Sequence, residues 1–456
     1  MRTLAVLLAL AGMTVTSLAA DWPQFQGPQR NGIAPDTGLA RVWPAQGPKV
    51  LWSFPLGVGF AGPCVEGGKL YVLDRVNDQQ DVLRCLSLAD GKEQWNFAYD
   101  APGKLDRNGS RSTPSVDEKH IYTVGPFGHV HAIDKTSHQV VWKLHLLEDF
   151  KGKLPNWGVA QSALVYKDTV ILAPLSPQAG LVGLNKATGQ VLWKSKALGG
   201  QSYASPLIAP VDGMDQVVIQ ATNSVVGVEP GTGNVLWAYA GWQCEIPIPS
   251  PTPIGDGRFF VTGGYGAGCA MFKVQKKDSQ YQAVELFKNK NCGSHVHNAI
   301  LHQGHLYANS NNTKAGLVCL DLEGAVKWQT GPKLDFDMGN VLLADGLLYA
   351  MDGNSGTLVL AEAKPDGYKE LARAKVLAGK GKLVWAPMAL VDGKLIVRDQ
   401  NEMKCLDVKT AGAAAPAPAA ASAPAAGAQP AGGPVRPEDV QDAVRRKLRV
   451  LGGGGG

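Results

Sequence analysis

The chain alternates short apolar runs with polar turns rich in Gly, Asp and Asn, and one such unit recurs. A small residue is followed by an apolar one, an acid or amide, a turn, and an apolar strand that ends in Trp. Copies run over 85–95, 132–142, 183–193 and 227–237, with a shorter one at 319–328. Asp or Asn with Gly sets the turn, and the second strand lays an aromatic against its neighbour, which is hairpin chemistry. The first four Trp residues lie 47, 51 and 44 positions apart. A strand-built period in the forties predicts a propeller.

A second hairpin precedes each copy. Clear examples are 65–72, 116–123, 301–308, 343–350 and 390–397, with weaker ones at 164–172, 207–219 and 254–261. Outer strands follow seven of these eight, including degenerate ones near 284–287 and 370–373. The eighth ends at 405–408 with no outer strand after it, while an unassigned Leu-Trp strand stands upstream at 50–54. Pairing the two would close the ring and remove its open edges. The expected fold is therefore all-β: an eight-bladed β-propeller over 48–410, four antiparallel strands per blade, closed by an N-terminal strand. A seven-bladed ring is the rival, because the fifth and seventh copies are irregular. The repeated Trp residues read as inter-blade packing. Cys85, Cys319 and Cys405 share a slot with Ala132, Gly183 and Gly227, and read as small buried side chains.

Composition narrows the classes. Hydrophobic residues are 45%, charged residues only 18%, and 55 residues are Gly, which suits turns and strands over solvated helices. A net charge of +5 leaves no electrostatic footprint for nucleic acid. Residues 1–20 pair Arg2 with an apolar run and small residues before Asp21, as a signal peptide does. The mature protein is then exported, to a periplasm or beyond, with 21–47 as an N-terminal extension. Residues 411–434 are nearly all Ala, Pro, Gly and Ser and read as a linker. Residues 435–456 read as a short basic amphipathic helix and a Gly tail. Val440, Val444, Leu448 and Leu451 form its stripe, and it suits an acidic groove or weak contact with an anionic membrane surface.

Candidate chemistry sits in the loops that enter each inner strand and lead toward the axis. Their aligned slot holds Ala61, Ser112, Ala160, Ser250, Gly339 and Ala386, but His297 in the sixth blade, with His295 two residues earlier. On an extended segment both imidazoles would face the funnel. Arg111, Trp157, Gln161, Tyr203, Glu245, Trp242 and Trp385 are the other entry-loop candidates, suited to a small planar or anionic ligand or a peptide. The alternative is that they plug the channel. Cys244 and Glu245 with Cys292 and the two histidines could bind zinc or copper. A Cys244–Cys292 disulfide between neighbouring loops is the simpler reading in an exported protein, and no metal is assigned. The Gly-rich 263–268 segment reads as a turn between strands.

The hairpin-plus-Trp pattern resembles the pyrroloquinoline-quinone-like (PQQ-like) propeller repeat of quinoprotein alcohol dehydrogenases and of the assembly lipoprotein BamB. The opening Asp21-Trp-Pro-Gln-Phe-Gln-Gly-Pro-Gln-Arg-Asn-Gly32 is similar to the start of many exported bacterial members. The dehydrogenases hold their quinone against adjacent cysteines, with calcium nearby. This chain has no Cys-Cys pair and no Cys-x-x-Cys-His haem motif. The resemblance thus implies no PQQ cofactor and no enzyme, but a protein-binding scaffold whose partners are envelope proteins or peptides. A quinone- or metal-dependent oxidoreductase in the axial funnel is the alternative. No lipidation Cys stands at the cleavage site as it does in the lipoprotein.

Overall fold

The computed structural model describes residues 21–200, 202–379 and 383–409. The chain divides after Ala414. The signal peptide, the linker 411–434 and the basic helix of 435–456 lie outside the described residues.

Eight sheets carry the fold, each with four antiparallel strands, and one of them gains a short fifth strand. We number the blades in chain order. Blade 1 comprises Cys64–Glu66, Lys69–Val76, Gln80–Ser87 and Glu93–Asp100. Blades 2 to 7 begin at Ser115, Leu164, Leu207, Thr252, Ile300 and Val341. Blade 8 takes three strands from Ala389–Val391, Lys394–Arg398 and Glu402–Asp407. Its outer strand is the N-terminal Lys49–Pro55, paired antiparallel with Glu402–Asp407, so that Trp52 stands opposite Cys405. The irregular fifth and seventh repeats are full blades, with outer strands at Gln280–Asn289 and Glu370–Lys375.

The repeat chemistry follows from this packing. Trp193 and Trp237 stand opposite Gly183 and Gly227, where a Cβ would enter the indole ring. That crowding keeps the slot small, and Cys85, Cys319 and Cys405 fill it fully buried. Most of the repeat indoles also cover a turn of the next blade, as Trp193 does at Gly233. A Cβ on Gly91 would lie 2.6 Å from Trp52, and one on Gly189 2.7 Å from Trp142, and both glycines have positive φ. Trp52 and Trp142 donate their Nε1–H to the carbonyls of Leu88 and Lys186, each at 2.9 Å. In blade 2 the turn residue is His138, also at positive φ, with its ring stacked on Trp95 at 4.2 Å. The hydrophobic core is thus a set of clusters between neighbouring blades, not one central mass.

The N-terminal extension is not a loose leader. Residues 21–40 cross the ring on the side of the turns that join first and second strands. Trp22 is 1% exposed and exchanges both main-chain hydrogen bonds with Val65 of blade 1. Val116 of blade 2 donates to the Pro23 carbonyl. Arg30 reaches the Ala163 and Pro206 carbonyls at the starts of blades 3 and 4. Gln26 and Asn298, before blade 6, form a reciprocal amide pair at 3.0 and 2.8 Å. Ile33–Ala34 add to blade 7 as a parallel edge, and Ala40 donates to Val408 of blade 8. We call this segment the strap.

Candidate functional site

Side chains around the axis begin with a tight polar ring. Thr113 N–H donates to Ser162 Oγ at 3.0 Å, and Ser162 N–H to Ser205 Oγ at 2.9 Å. Ser250 Oγ donates to the Ser205 carbonyl, and Thr252 Oγ1 to that of Ala299, each at 2.8 Å. Asn309 Nδ2 donates to the Gly339 carbonyl, and Met388 N–H to Asn340 Oδ1, each at 3.0 Å. These bonds link consecutive blades from 2 to 8. The small residues of the entry slot therefore reflect close approach of the inner strands, not free space around an axial ligand.

Above this ring the entry loops form a mouth on the face opposite the strap. Phe60 stacks on Trp385 at 5.4 Å, Trp157 packs on Tyr203 at 5.4 Å, and Tyr265 meets His295 edge-on at 5.0 Å. Arg111 lies over Phe60 at 5.6 Å, and Arg107 over Trp385 at 5.9 Å. Trp157–Tyr203, Tyr265–His295 and Arg111–Phe60 join loops of consecutive blades, while Trp385 meets Phe60 and Arg107 across the closure of the ring. Of the expected residues, Arg111, Trp157, Tyr203, His295 and Trp385 meet here.

Most of their polar groups already have partners. The Arg111 guanidinium donates to the carbonyls of Asp106, Arg107 and Gly109. Its burial lowers its pKa to about 10, which leaves it charged at neutral pH. Trp385 Nε1–H donates to Asp337 Oδ2 at 2.8 Å, and Trp157 Nε1–H to Asp106 Oδ2 at 3.3 Å. Burial pushes the Asp337 carboxyl up, while the Trp385 N–H works the other way. The Trp157 main-chain N–H donates to the Tyr203 hydroxyl at 3.4 Å. His295 lies 2.9 Å from Asn311 Nδ2 and 3.4 Å from Asn312 Nδ2.

Four expectations need correction. Gln161 does not face a ligand: both ends of its amide bond the main chain of Ala173, at 2.5 Å each. His297 does not share a face with His295, because 291–299 is irregular and the strand starts only at Ile300. It is buried between blades 6 and 7, accepting at Nδ1 from Asn340 Nδ2 at 3.1 Å, and burial lowers its pKa to about 4. Glu245 is exposed beside the mouth, acting on Tyr265 only through its charge. The Cys244–Cys292 bridge is not formed, and all seven cysteines are free and buried. Phe259 and Val261 pack with Cys244, while Phe260 packs with Cys292. Successive strand residues point to opposite faces, so the blade 5 sheet stands between the two thiols. Thr262 Oγ1 donates to Cys292 Sγ at 3.4 Å, and burial raises both thiols to about 11. Among the described residues no group of three His, Cys, Asp or Glu side chains is placed to hold a metal.

Sequence reasoning missed Phe60, Arg107, Tyr265 and Asp337. Phe60 adjoins the slot residue Ala61, a signal that was available. Arg107, Tyr265 and Asp337 sit at positive φ in irregular loops, where no periodicity marks them.

Eight four-stranded blades, six of them with a Trp on the outer strand, and a mouth built from entry loops define a PQQ-like propeller. A family profile described as outer membrane protein assembly factor BamB matches residues 78–330, more than half of the chain, and the protein belongs to this family. A curated relative, quinoprotein alcohol dehydrogenase PedH of Pseudomonas putida, is 25% identical over 168 residues, 34% of this chain. The match spans 27% of that relative's length. Among solved structures, quinohemoprotein alcohol dehydrogenase ADHIIG from Pseudomonas putida HK5 superposes with a TM-score of 0.58 at 13% identity, covering 94% of this chain and 85% of that one. BamB from Moraxella catarrhalis gives 0.55 at 13% identity, covering 79% and 99%. These likenesses show the fold.

Proposed function

We propose that the protein is a non-catalytic scaffold of the bacterial envelope that docks proteins or peptides on its mouth. One observation carries this reading: the Trp157 and Trp385 indoles are already bonded to carboxylates of neighbouring loops, the Arg111 guanidinium to carbonyls of its own loop, and the His295 imidazole lies against Asn311 and Asn312. They form a rigid, half-exposed aromatic surface with Arg107 and Arg111 on it. Rigid aromatics with Arg suit protein interfaces, where they add contact area at low entropic cost. The residues present do not fit PQQ. The cysteines are isolated and buried, and the aromatic rings that could cover a quinone pack against one another. Family members bound to the outer membrane or periplasm are consistent with export.

Affinity capture from envelope extract tests the proposal. The full-length protein should retain a stoichiometric protein partner, and an Arg107→Glu, Trp385→Ala variant should lose it. The partial likeness to PedH favours an oxidoreductase as a second reading. That reading requires purified protein to bind PQQ saturably, with a change in absorbance.

A further inference from the structure

Histidine is unevenly distributed: five of the nine lie in blade 2, and besides His138 on Trp95, three of these line one cavity against blade 1. His129 and His145 stand directly opposite each other on paired strands, with their rings 4.8 Å apart. His131 follows two residues on, on the same face and opposite Lys143. Tyr99, on the outer strand of blade 1, lies 4.3 Å from His131 and 5.5 Å from His129. Together they line a cavity of about 490 Å³ between the blades. Beneath it lies a wholly buried ion pair, Arg75 to Asp81 at 2.8 Å. The seam between blades 4 and 5 is different, packed by Trp237, Tyr239, Phe259 and Phe272.

The cluster does not suit a metal. His145 Nδ1 accepts from the Glu148 N–H at 3.2 Å, capping the short helix Leu146–Asp149. Its proton is therefore on Nε2, and a metal there would break the cap. Nδ1 of His129 and of His131 is buried with no hydrogen-bond partner among the described residues. These imidazoles serve as neutral packing groups that can accept protons.

We propose that this seam is acid-labile: protonation of His129 and His131 loosens blade 2 from blade 1 while the apolar seams stay closed. The surrounding charges favour this. Arg75 and Lys143 are the cations that face the pair. Asp81 is held by Arg75, Asp100 by the Gln80 amide, and Asp149 by the His145 N–H. Glu148 is exposed, 3.9 Å from His145 Nε2. No carboxylate acts on His131 among the described residues, and Glu148 alone favours charge on His129. Burial first, then His129 and Lys143, lowers His131 from 6.5 to about 4, and burial also lowers His129. The folded state binds fewer protons than the unfolded one. Stabilisation is complete above pH 6.5 and is lost as pH falls toward 4. For His131 alone, the local opening constant should rise roughly 80-fold from pH 8 to pH 4.5.

Hydrogen exchange of the full chain, read by mass spectrometry and corrected for intrinsic rate, tests this. Peptides covering 93–100 and 129–145 should lose protection at pH 4.5, while 235–239 and 258–263 keep it. His129→Gln with His131→Gln should suppress the difference. Uniform loss across the seams, or the same loss in the double variant, overturns the proposal. Should that variant fail to fold at pH 7.5, Lys143→Gln removes an exposed cation beside His131. It should move the midpoint of loosening to lower pH, and an unmoved midpoint also overturns the proposal.

Discussion

The two ends of the axial channel are built from different chemistry. At one end the strap crosses the ring and is held mainly by main-chain and amide hydrogen bonds, with Trp22 and the buried Arg30 as anchors. Among the described residues Arg30 has no carboxylate partner. Desolvation lowers it to about 9, and carbonyls of blades 3 and 4 with the Gln24 amide take up its N–H groups. At the other end aromatic rings and two arginines stand half exposed on irregular loops. A buried end fixed by directional bonds to several blades serves the fold. An end that presents aromatics and cations to solvent serves recognition, since loops on a rigid scaffold carry function. The difference predicts that mutations at the strap end cost stability and mutations at the mouth cost binding.

The sharpest way to break that contrast is to remove residues 21–56. The deletion takes away the strap and the outer strand of blade 8 together, exposing Glu402–Asp407 as an open edge. Cooperative unfolding should be lost and the protein should aggregate, as read by thermal melting and light scattering. A monomer with unchanged melting would contradict the strap's role. Next in size is Trp22→Ala, a buried truncation that should cost about 3–5 kcal/mol in a urea titration. Arg30→Ala leaves the Pro206 carbonyl without its donor and should cost about 1–3 kcal/mol. At the mouth, Phe60→Ala should cost stability only about 1 kcal/mol through the lost ring stack, yet weaken partner capture. Equal stability losses at both ends would erase the distinction. Smallest in effect is reduction. With all seven thiols free, a reductant should leave melting unchanged, and seven thiols should titrate after denaturation without it.

The parts that repeat were legible in the sequence. Most blades obey the same crowding of Trp against a small residue, so five Trp copies and their slots were enough to place eight hairpins. The outer strand carrying Trp52 was legible because it bears that signature out of place. The strap was not, because Gln26 meets Asn298 and Arg30 meets Pro206 across long sequence separations that occur once each. His295 and His297 misled for a related reason. The two-residue alternation belongs to strands, and their segment is not one. Cys244 and Cys292 lie in loops of adjacent blades, but sequence could not show that a sheet stands between them.

The scaffold reading rests on the mouth, and one comparison tests it most directly. A photo-crosslinking amino acid is placed at position 385 in the mouth and, separately, at position 37, an exposed site on the strap. Both full-length proteins are irradiated in intact envelopes and resolved by mass. The account predicts a discrete adduct to one protein from position 385 and none from position 37. Adducts from position 37 alone, or none from position 385 under conditions where the protein is folded, would contradict it.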